Sequence, residues 1–430
     1  MSRTKLFQII SACLTLTICM ASCSESENES NKEVRYMLPR TEKVQLTYKQ
    51  KEMVKNHNAF AFELLRAAYD LQQNGANKDK SFCLSPMGAT YLLGMAGSGA
   101  AGETRKQIVD AMGMGTASAK DINDLCRTII KDAPGTDKQV TLETANAVYA
   151  NKDIALKEQF CKDMETYYEA DARSLDFDSK ESLTVINNWI KDKTGGKITD
   201  ALDWLDPSAT AYMANATYFR PTWTKHFDKE NTKPENFTME DGTTRQVQMM
   251  NNKARIFAYS SRKIEGSMVC LPFGSGTAWQ MYIIKPNARE NASLDFLVEN
   301  LSTEAWEELM KLRIDAEMEI KIPKFSTTYM ADMDKAMRKM GVTKVFTTSA
   351  DLKGMCHNEV AYIRQMIQKS RIDVDEENAK TVATENGIEE VVPDKPADVK
   401  TEFFANRPFV YLICESSTNA VFFAGVYQGD

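Results

Sequence analysis

The chain has 430 residues, 43% of them hydrophobic, which is enough to bury a large core in one domain or in several. Its formal net charge is −7, and acidic and basic residues are mixed without a sustained basic run, so nucleic acid is not an expected partner. Three histidines, His57, His226 and His357, stand beside no evident nucleophile, so the chain is not expected to be an enzyme.

The N-terminal residues have the pattern of an export signal. Arg3 and Lys5 precede an apolar run over residues 6–20, which is too short to span a membrane comfortably. The run ends in Met20-Ala21-Ser22-Cys23, which resembles a bacterial lipobox. This resemblance implies removal of residues 1–22 and a palmitate-bearing Cys23 that anchors an outer-membrane lipoprotein. An ordinary secretory signal followed by an incidental cysteine is the alternative.

A polar segment follows the lipobox. Residues 24–29, SESENE, resemble the acidic tag that directs some Gram-negative lipoproteins to the cell surface, which implies a surface-exposed, extracellular domain. Large apolar residues stay scarce to about Gln50, which predicts a disordered tether over residues 23–52 and a globular domain over 53–430.

Six cysteines remain outside the signal and the lipobox. None lies in a CxxC pair or at metal-ligand spacing from a histidine. We therefore predict no metal, no cofactor and no disulfide framework, although export leaves room for one bond. The six residues are Cys83, Cys126, Cys161, Cys270, Cys356 and Cys414.

The globular part begins with helices. Apolar residues at helical spacing from Phe60 to Leu71 predict a first helix after His57-Asn58. A short strand and a helix rich in small residues come next, and then residues 97–102, GSGAAG, fit the pattern GxGxxG. A dinucleotide-binding turn follows a strand, whereas this one follows a helix, so a helix end with a tight turn is favoured.

The middle of the chain mixes helices and strands without regular alternation, and several strands are adjacent, which favours the α+β class. The predicted helices are Leu156–Tyr168, Ser182–Lys193, Leu294–Lys311 and Met330–Met340, and the predicted strands include 141–151, 209–219 and 319–325.

A long segment without hydrophobic periodicity follows the strand-like residues Ile372 and Val374. It runs from Asp373 to Arg407 and ends at two dense apolar runs, FVYLIC and AVFFAGVY. Loops of this length are uncommon inside compact domains and are usually functional or disordered.

Separated motifs from about Asn58 to Val426, all in one order, resemble the serpin family of protease inhibitors. The motifs are Asn58-Ala59-Phe60-Ala61, Ser85-Pro86, Gly99-Ala100 with Gly102 and Thr104, Asn146, Tyr167-Tyr168, Phe177, Ile186-Asn187-Asn188-Trp189, Lys193-Thr194, Gly196-Lys197-Ile198, Asn215-Ala216, Tyr218-Phe219, Trp223, Leu271-Pro272-Phe273, Ile322-Pro323-Lys324-Phe325, Met340-Gly341-Val342, Arg407-Pro408-Phe409 and Phe422-Phe423-Ala424-Gly425.

The resemblance implies a monomeric serpin fold with three β-sheets, about nine helices and an exposed reactive-centre loop, here at about 378–403. It implies irreversible suicide inhibition of serine proteases, in which the cleaved loop inserts into the central sheet and deforms the acyl-enzyme. Papain-like cysteine proteases are further expected targets. The inhibitor itself needs no catalytic residue. A non-inhibitory serpin, cleaved as a substrate or acting as a binding protein, is the alternative.

Insertion places demands on the loop hinge, because alternate side chains of a strand face opposite sides. The family usually has glycine where this chain has Asn378, and asparagine tolerates positive φ better than most residues. Glu385 falls on the inward face, where an unpaired carboxylate would be costly unless it stays near the sheet end or is solvated. The predicted hinge comprises Glu376, Glu377, Asn378, Ala379, Thr381, Ala383 and Glu385, of which Ala379, Thr381 and Ala383 are small and inward.

The scissile bond is expected at Val391-Val392, which would suit an elastase-like protease. Bonds that precede proline are poor substrates, which weighs against cleavage before Pro393 or Pro396. Lys400-Thr401, which would suit a trypsin-like protease, is the second choice.

Four residues match the region where the family locks and opens its central sheet: Ser85, Asn215, Trp223 and Gln368. Gln368 replaces a usual histidine and Gly88 a usual serine, yet glutamine can still donate and accept hydrogen bonds. The alternatives are ordinary polar core residues and, for Trp223, a plain core aromatic.

Overall fold

The computed structural model describes residues 42–199, 202–275, 277–288, 292–311, 314–376 and 401–430, together with the backbone of two short strands at 34–36 and 389–391. The chain divides into two compact units, the smaller comprising Met1–Met37 and Ile388–Lys395 and the larger Leu38–Gly387 and Pro396–Asp430. In the smaller unit, strands β1 and β13 pair antiparallel, with Val34 opposite Val391.

The elements of the described residues are as follows. The helices are α1 Tyr48–Gln73, α2 Pro86–Gly99, α3 Gly102–Ala111, α4 Ala119–Asp132, α5 Glu158–Tyr168, α6 Lys180–Lys193, α7 Leu294–Asn300, α8 Thr303–Lys311 and α9 Met333–Lys339. The strands are β1 Val34–Tyr36, β2 Phe82–Leu84, β3 Thr141–Asn151, β4 Asp171–Leu175, β5 Ala211–Arg220, β6 Lys233–Thr238, β7 Thr244–Ser261, β8 Gly266–Phe273, β9 Trp279–Pro286, β10 Ile314–Pro323, β11 Phe325–Asp332, β12 Ile363–Val374, β13 Glu389–Val391, β14 Thr401–Phe404, β15 Phe409–Glu415 and β16 Ala420–Tyr427.

Two sheets form the larger unit. One has nine strands in the order β14-β10-β7-β8-β9-β15-β16-β2, with β6 also paired to β7. The other has five strands in the order β11-β12-β5-β3-β4. With the β1–β13 pair, the described residues contain three sheets and nine α-helices, so the predicted α+β architecture is confirmed.

The centre of the five-stranded sheet is buried on both faces. On one face, Ile186 and Ile190 of α6 pack against β3 and β5 in a separate apolar cluster. The other face joins the main core, which includes α1, α2 and the nine-stranded sheet. Strand β5 is accordingly buried along nearly its whole length, as expected for a central strand between two layers.

Local sequence explains where the first helix differs from its prediction. Helix α1 begins at Tyr48, because Thr47 and Gln50 form a capping box, so the predicted start after His57-Asn58 is wrong. The predicted domain boundary at residue 53 therefore falls inside this helix. Val44, which precedes it, is already buried.

Two further predictions need correction. The single helix expected over Leu294–Lys311 is two helices, α7 and α8, which are separated at Leu301. Residues 330–332, expected to be helical, belong to strand β11, where they pair with β12.

The GxGxxG segment is a helix end as predicted, since α2 ends at Gly99 and Gly102 has a φ of +53°. No helix in the described part of the chain has the length and apolarity of a membrane span.

Candidate functional site

The candidate site lies where strand β12 ends and the long loop begins. The structure describes β12 and continues to Glu376, and the chain is described again in the larger unit from Thr401. Thr401 begins β14, which pairs in parallel with β10 at the edge of the nine-stranded sheet. The loop therefore connects the two sheets, and its predicted last residues, 401–403, belong to a strand.

The described residues contain only part of the predicted loop site. Val391 is the last residue of β13, and Glu376 is placed with its side chain. The other predicted hinge and scissile-bond residues and the lipidation site lie outside the described residues; they are Glu377, Asn378, Ala379, Thr381, Ala383, Glu385, Val392, Lys400 and Cys23.

The five-stranded sheet that contains β12 has a parallel pair of strands at its centre. Strand β12 runs parallel to β5, and the register places Gln368 opposite Asn215. On the outer sides, β11 is antiparallel to β12 and β3 is antiparallel to β5. A chain that leaves β12 and turns back would therefore run antiparallel to both central strands.

Hydrogen bonds of buried side chains join these two strands to helix α2. The Ser85 N–H donates to Gln368 Oε1 at 2.8 Å, and Gln368 Nε2 donates to the Ser85 carbonyl at 2.8 Å and to Asn215 Oδ1 at 3.3 Å. All three residues are at most 1% exposed. The structure thus brings together three of the four residues predicted to lock the sheet.

The same bonds continue across the next strand. Asn215 Nδ2 donates to Asn146 Oδ1 at 2.9 Å, and Asn146 Nδ2 donates to the Tyr168 carbonyl at 2.8 Å. We call Ser85, Gln368, Asn215 and Asn146 the central network. Because its members are buried, each broken bond leaves a polar group without water, so the network holds β3, β5 and β12 in one register.

Gly88 is a steric requirement of this network. A Cβ at Gly88 would lie 2.1 Å from Asn215 Oδ1 and 2.8 Å from Gln368 Nε2. A serine here would therefore clash, and the amides of Asn215 and Gln368 occupy the space that it would need. Ser85 meanwhile caps α2, since its Oγ accepts from the Gly88 N–H at 3.0 Å.

Trp223, the fourth predicted residue, lies at the loop end of the sheet. Its Nε1 donates to the Asp375 carbonyl at 3.0 Å, one residue after β12 ends. Its ring packs against Phe273 with centroids 4.3 Å apart, and the side chain is almost fully buried. Trp223 therefore contacts the chain at the point where the loop departs.

An ion pair holds the first hinge residue. Glu376 is 5% exposed, and its Oε2 lies 2.7 Å from Nζ of Lys324. Burial alone would raise the pKa of the Glu376 carboxyl, but the Lys324 ammonium and further hydrogen bonds outweigh burial and lower the pKa. The carboxylate is thus charged and bound to the turn between β10 and β11.

Three residues of this site had no role predicted from the sequence. Asn146 and Lys324 were recognised only as parts of family motifs, and Gly88 only as a departure from the family pattern. Cross-strand register between 141–151 and 209–219 would have indicated the contact of Asn146 with Asn215.

Comparisons with known proteins agree with this geometry. The family model described as "Serpin (serine protease inhibitor)" matches residues 55–428. Serpin B6 of Pongo abelii is 28% identical over 380 residues, which cover 86% of this chain and 98% of that protein. Serpin-Z7 of Hordeum vulgare is 28% identical over 378 residues, which cover 84% and 93%. The native-state structure of the thermophilic serpin tengpin has a TM-score of 0.77 at 23% identity, with coverage of 92% and 99%, which supports the fold alone.

Proposed function

Because a serpin family model matches residues 55–428, the chain belongs to the serpin family, and we propose that it inhibits serine proteases irreversibly as a suicide substrate. Serpins are typically protease inhibitors rather than enzymes. The protease cleaves the loop between Glu376 and Thr401 and remains attached as an acyl-enzyme. Insertion of the cleaved loop into the five-stranded sheet then deforms the protease before hydrolysis can release it.

The parallel pair of β5 and β12 is the observation that carries this proposal. The loop leaves directly from β12, so its folded-back form is antiparallel to both strands. Insertion replaces the parallel pairing of β5 with β12 by two antiparallel pairings, one on each side of the inserted strand. Antiparallel pairing is slightly more stable per residue, and the second pairing adds backbone hydrogen bonds. Once the β5–β12 ladder opens, the sheet can therefore accept one further strand of this polarity.

Register gives the inserted strand a definite alignment. If the turn is centred between Glu376 and Glu377, Ala379 pairs with Val374. Every second residue after Ala379 then pairs with every second residue before Val374 on β12. The β12 partners are Val374, Ile372, Ser370 and Gln368, all buried on the core side, and they face Ala379, Thr381, Ala383 and Glu385 in that order. In this alignment the inward loop residues expected from the sequence would lie on the buried face of the sheet, which supports the proposal.

The first test is incubation with pancreatic elastase, which prefers small apolar residues such as those of Val391-Val392. We expect a covalent complex that survives denaturing electrophoresis, and cleaved inhibitor with a raised melting temperature. Mass spectrometry of the released fragment reports which bond is cut. Cleavage with neither complex nor raised melting temperature would instead support the substrate-like alternative, which the inward carboxylate of Glu385 favours.

The Glu385→Thr variant tests insertion more directly. Removal of an inward carboxylate should raise the fraction of inhibitor that traps elastase over the fraction that is cleaved and released. Asn386→Thr is the matched control, because residue 386 faces outward and should leave this partition unchanged. An equal partition in Glu385→Thr and in the unmodified protein would contradict insertion as the limiting step.

We also propose that Cys23 anchors the protein to the bacterial outer membrane with the serpin domain exposed at the surface. The lipobox-like residues 20–23 and the acidic segment 24–29 support this. Metabolic labelling with a palmitate analogue should mark the protein and not its Cys23→Ser variant. Surface proteolysis of intact cells would report exposure, and an unlabelled, released protein would indicate an ordinary secretory signal.

A further inference from the structure

A cleft beside edge strand β11 has no role in the proposed inhibitory mechanism. Its volume is about 470 Å³, which lies in the range of small-molecule sites. The walls are the C-terminal turns of α1, residues 202–204 ahead of β5, strands β11 and β12, and the first turn of α9. Four parts of the chain that are distant in sequence therefore meet around one space.

Apolar side chains are concentrated around this cleft. Of eight large hydrophobic residues exposed in the described part of the chain, three line it: Leu71, Trp204 and Met330. Trp204 is 61% exposed, so its indole ring offers a flat apolar surface to a bound molecule. Scattered exposed apolar residues are ordinary, whereas a cluster that lines a concavity points to a ligand.

The charges in the cleft favour a cationic donor. The ammonium of Lys335 is already 3.1 Å from Asp332 Oδ2, and the Gln365 amide also donates to Asp332. Asp203 has no salt bridge among the described residues, so its carboxylate is available to a positive charge. Aromatic faces such as that of Trp204 attract cations as well.

We propose that this cleft binds an aromatic amine. The ring lies against Trp204 between Leu71 and Met330, and the ammonium pairs with the Asp203 carboxylate. The site requires no covalent step, and none of its lining residues lies between Glu376 and Thr401, so it is a binding site rather than a second protease site.

Binding is expected to affect the sheet, and this part of the inference rests on the proposed function. Leu202 is held to α6 by two hydrogen bonds with Asn187 and packs with β3 and β5, whereas Gln365 and Ile367 belong to β12. A strand inserted between β5 and β12 would separate these walls by about 4.8 Å. A ligand that contacts both walls therefore favours the five-stranded sheet and slows insertion.

Isothermal titration calorimetry with two matched probes tests the site directly. We expect 2-(1-naphthyl)ethylamine to bind the intact protein at least about tenfold more tightly than 3-(1-naphthyl)propionic acid, which has the same ring and the opposite charge. Equal affinity for the two probes, or binding of neither, would overturn the proposal.

Two variants assign the binding to the cleft. Trp204→Ala should weaken amine binding about tenfold, whereas Tyr48→Ala, which removes an exposed aromatic residue elsewhere, should not. Asp203→Asn should also weaken it without unfolding the protein, because the variant removes the carboxylate that pairs with the ammonium and residue 203 is exposed. Full amine affinity in both cleft variants would contradict this location.

A kinetic measurement separates this inference from the proposed function. If elastase is trapped, saturating amine should slow complex formation at least about twofold in the unmodified protein and not in Trp204→Ala. Amine binding without any trapping would leave the site intact and reject the inhibitory function. Trapping without amine binding would support the inhibitory function and reject the amine site.

Discussion

Replacement of Gln368 by alanine would test whether the central network keeps the five-stranded sheet closed. The substitution removes both bonds to Ser85 and the bond to Asn215. The Ser85 carbonyl still accepts a hydrogen bond from the Ala89 N–H, and Asn215 Oδ1 still accepts one from the Thr217 hydroxyl at 3.1 Å. The Ser85 N–H loses its partner, and the Ser370 hydroxyl loses a long bond of 3.4 Å.

The expected destabilisation follows from these losses. A buried N–H without a partner costs about 1–3 kcal/mol, and the cavity left by the side chain adds about 1 kcal/mol, so the total is about 2–4 kcal/mol. Urea unfolding followed by tryptophan fluorescence measures this difference. Gln365→Ala is the matched control, because Gln365 is on the same strand, is partly exposed and hydrogen-bonds Asp332 instead. A loss within about 0.5 kcal/mol of this control would refute the assigned role of the network.

Three further predictions concern pH and the loop base. Burial lowers the pKa of His57 from 6.5 to about 4, so between these pH values the unfolded chain binds a proton that the folded chain does not. The free energy of unfolding should therefore fall by about 3 kcal/mol as the pH drops from 6.5 to 4. Urea unfolding of His57→Gln should show a weaker pH dependence. Glu376→Gln removes the ion pair with Lys324 and should lower stability by about 1–3 kcal/mol at pH 7, and by less as the pH falls through the lowered pKa of the unmodified carboxyl. Trp223→Phe keeps an aromatic ring but leaves a small cavity and loses the bond to the Asp375 carbonyl, so about 1–3 kcal/mol should be lost and loop insertion, followed by stopped-flow fluorescence, should become faster.

Local patterns in the sequence were sufficient for elements whose boundaries are local. Strand β3 occupies Thr141–Asn151, the range predicted from its residues. The start of α1 was missed although Thr47 and Gln50 have the spacing of a capping box, so a readable signal was available. Strand β11 was misassigned in part because Met330 fits either period, and only pairing with β12 decides between helix and strand.

The contacts of the site depend on long-range register, which spacing along the chain does not reveal. Glu376 and Lys324 are 52 positions apart, and their ion pair forms because β11 and β12 are antiparallel neighbours. Resemblance to a family grouped Ser85, Asn215 and Gln368 correctly, but it gave no reason for a glycine at position 88. The reason is steric, since the space that a Cβ would need holds the amides of the network.

From the sequence alone, the carboxylate of Glu385 is expected to hinder loop insertion. The alignment of the inserted strand gives that carboxylate a partner. With the turn centred between Glu376 and Glu377, Glu385 arrives opposite Gln368, at the height of the central network. Its carboxylate would then lie beside Gln368 Nε2, whose bond to Asn215 Oδ1 breaks when a strand separates β12 from β5 and which can then donate to a buried anion. The network would thus serve both states, first as a lock on the five-stranded sheet and then as a partner for the inserted carboxylate. The two roles are coupled, so Glu385→Thr should raise the trapped fraction of elastase more in the Gln368→Ala background than in the unmodified protein. Equal gains in the two backgrounds would mean that Glu385 does not reach the network.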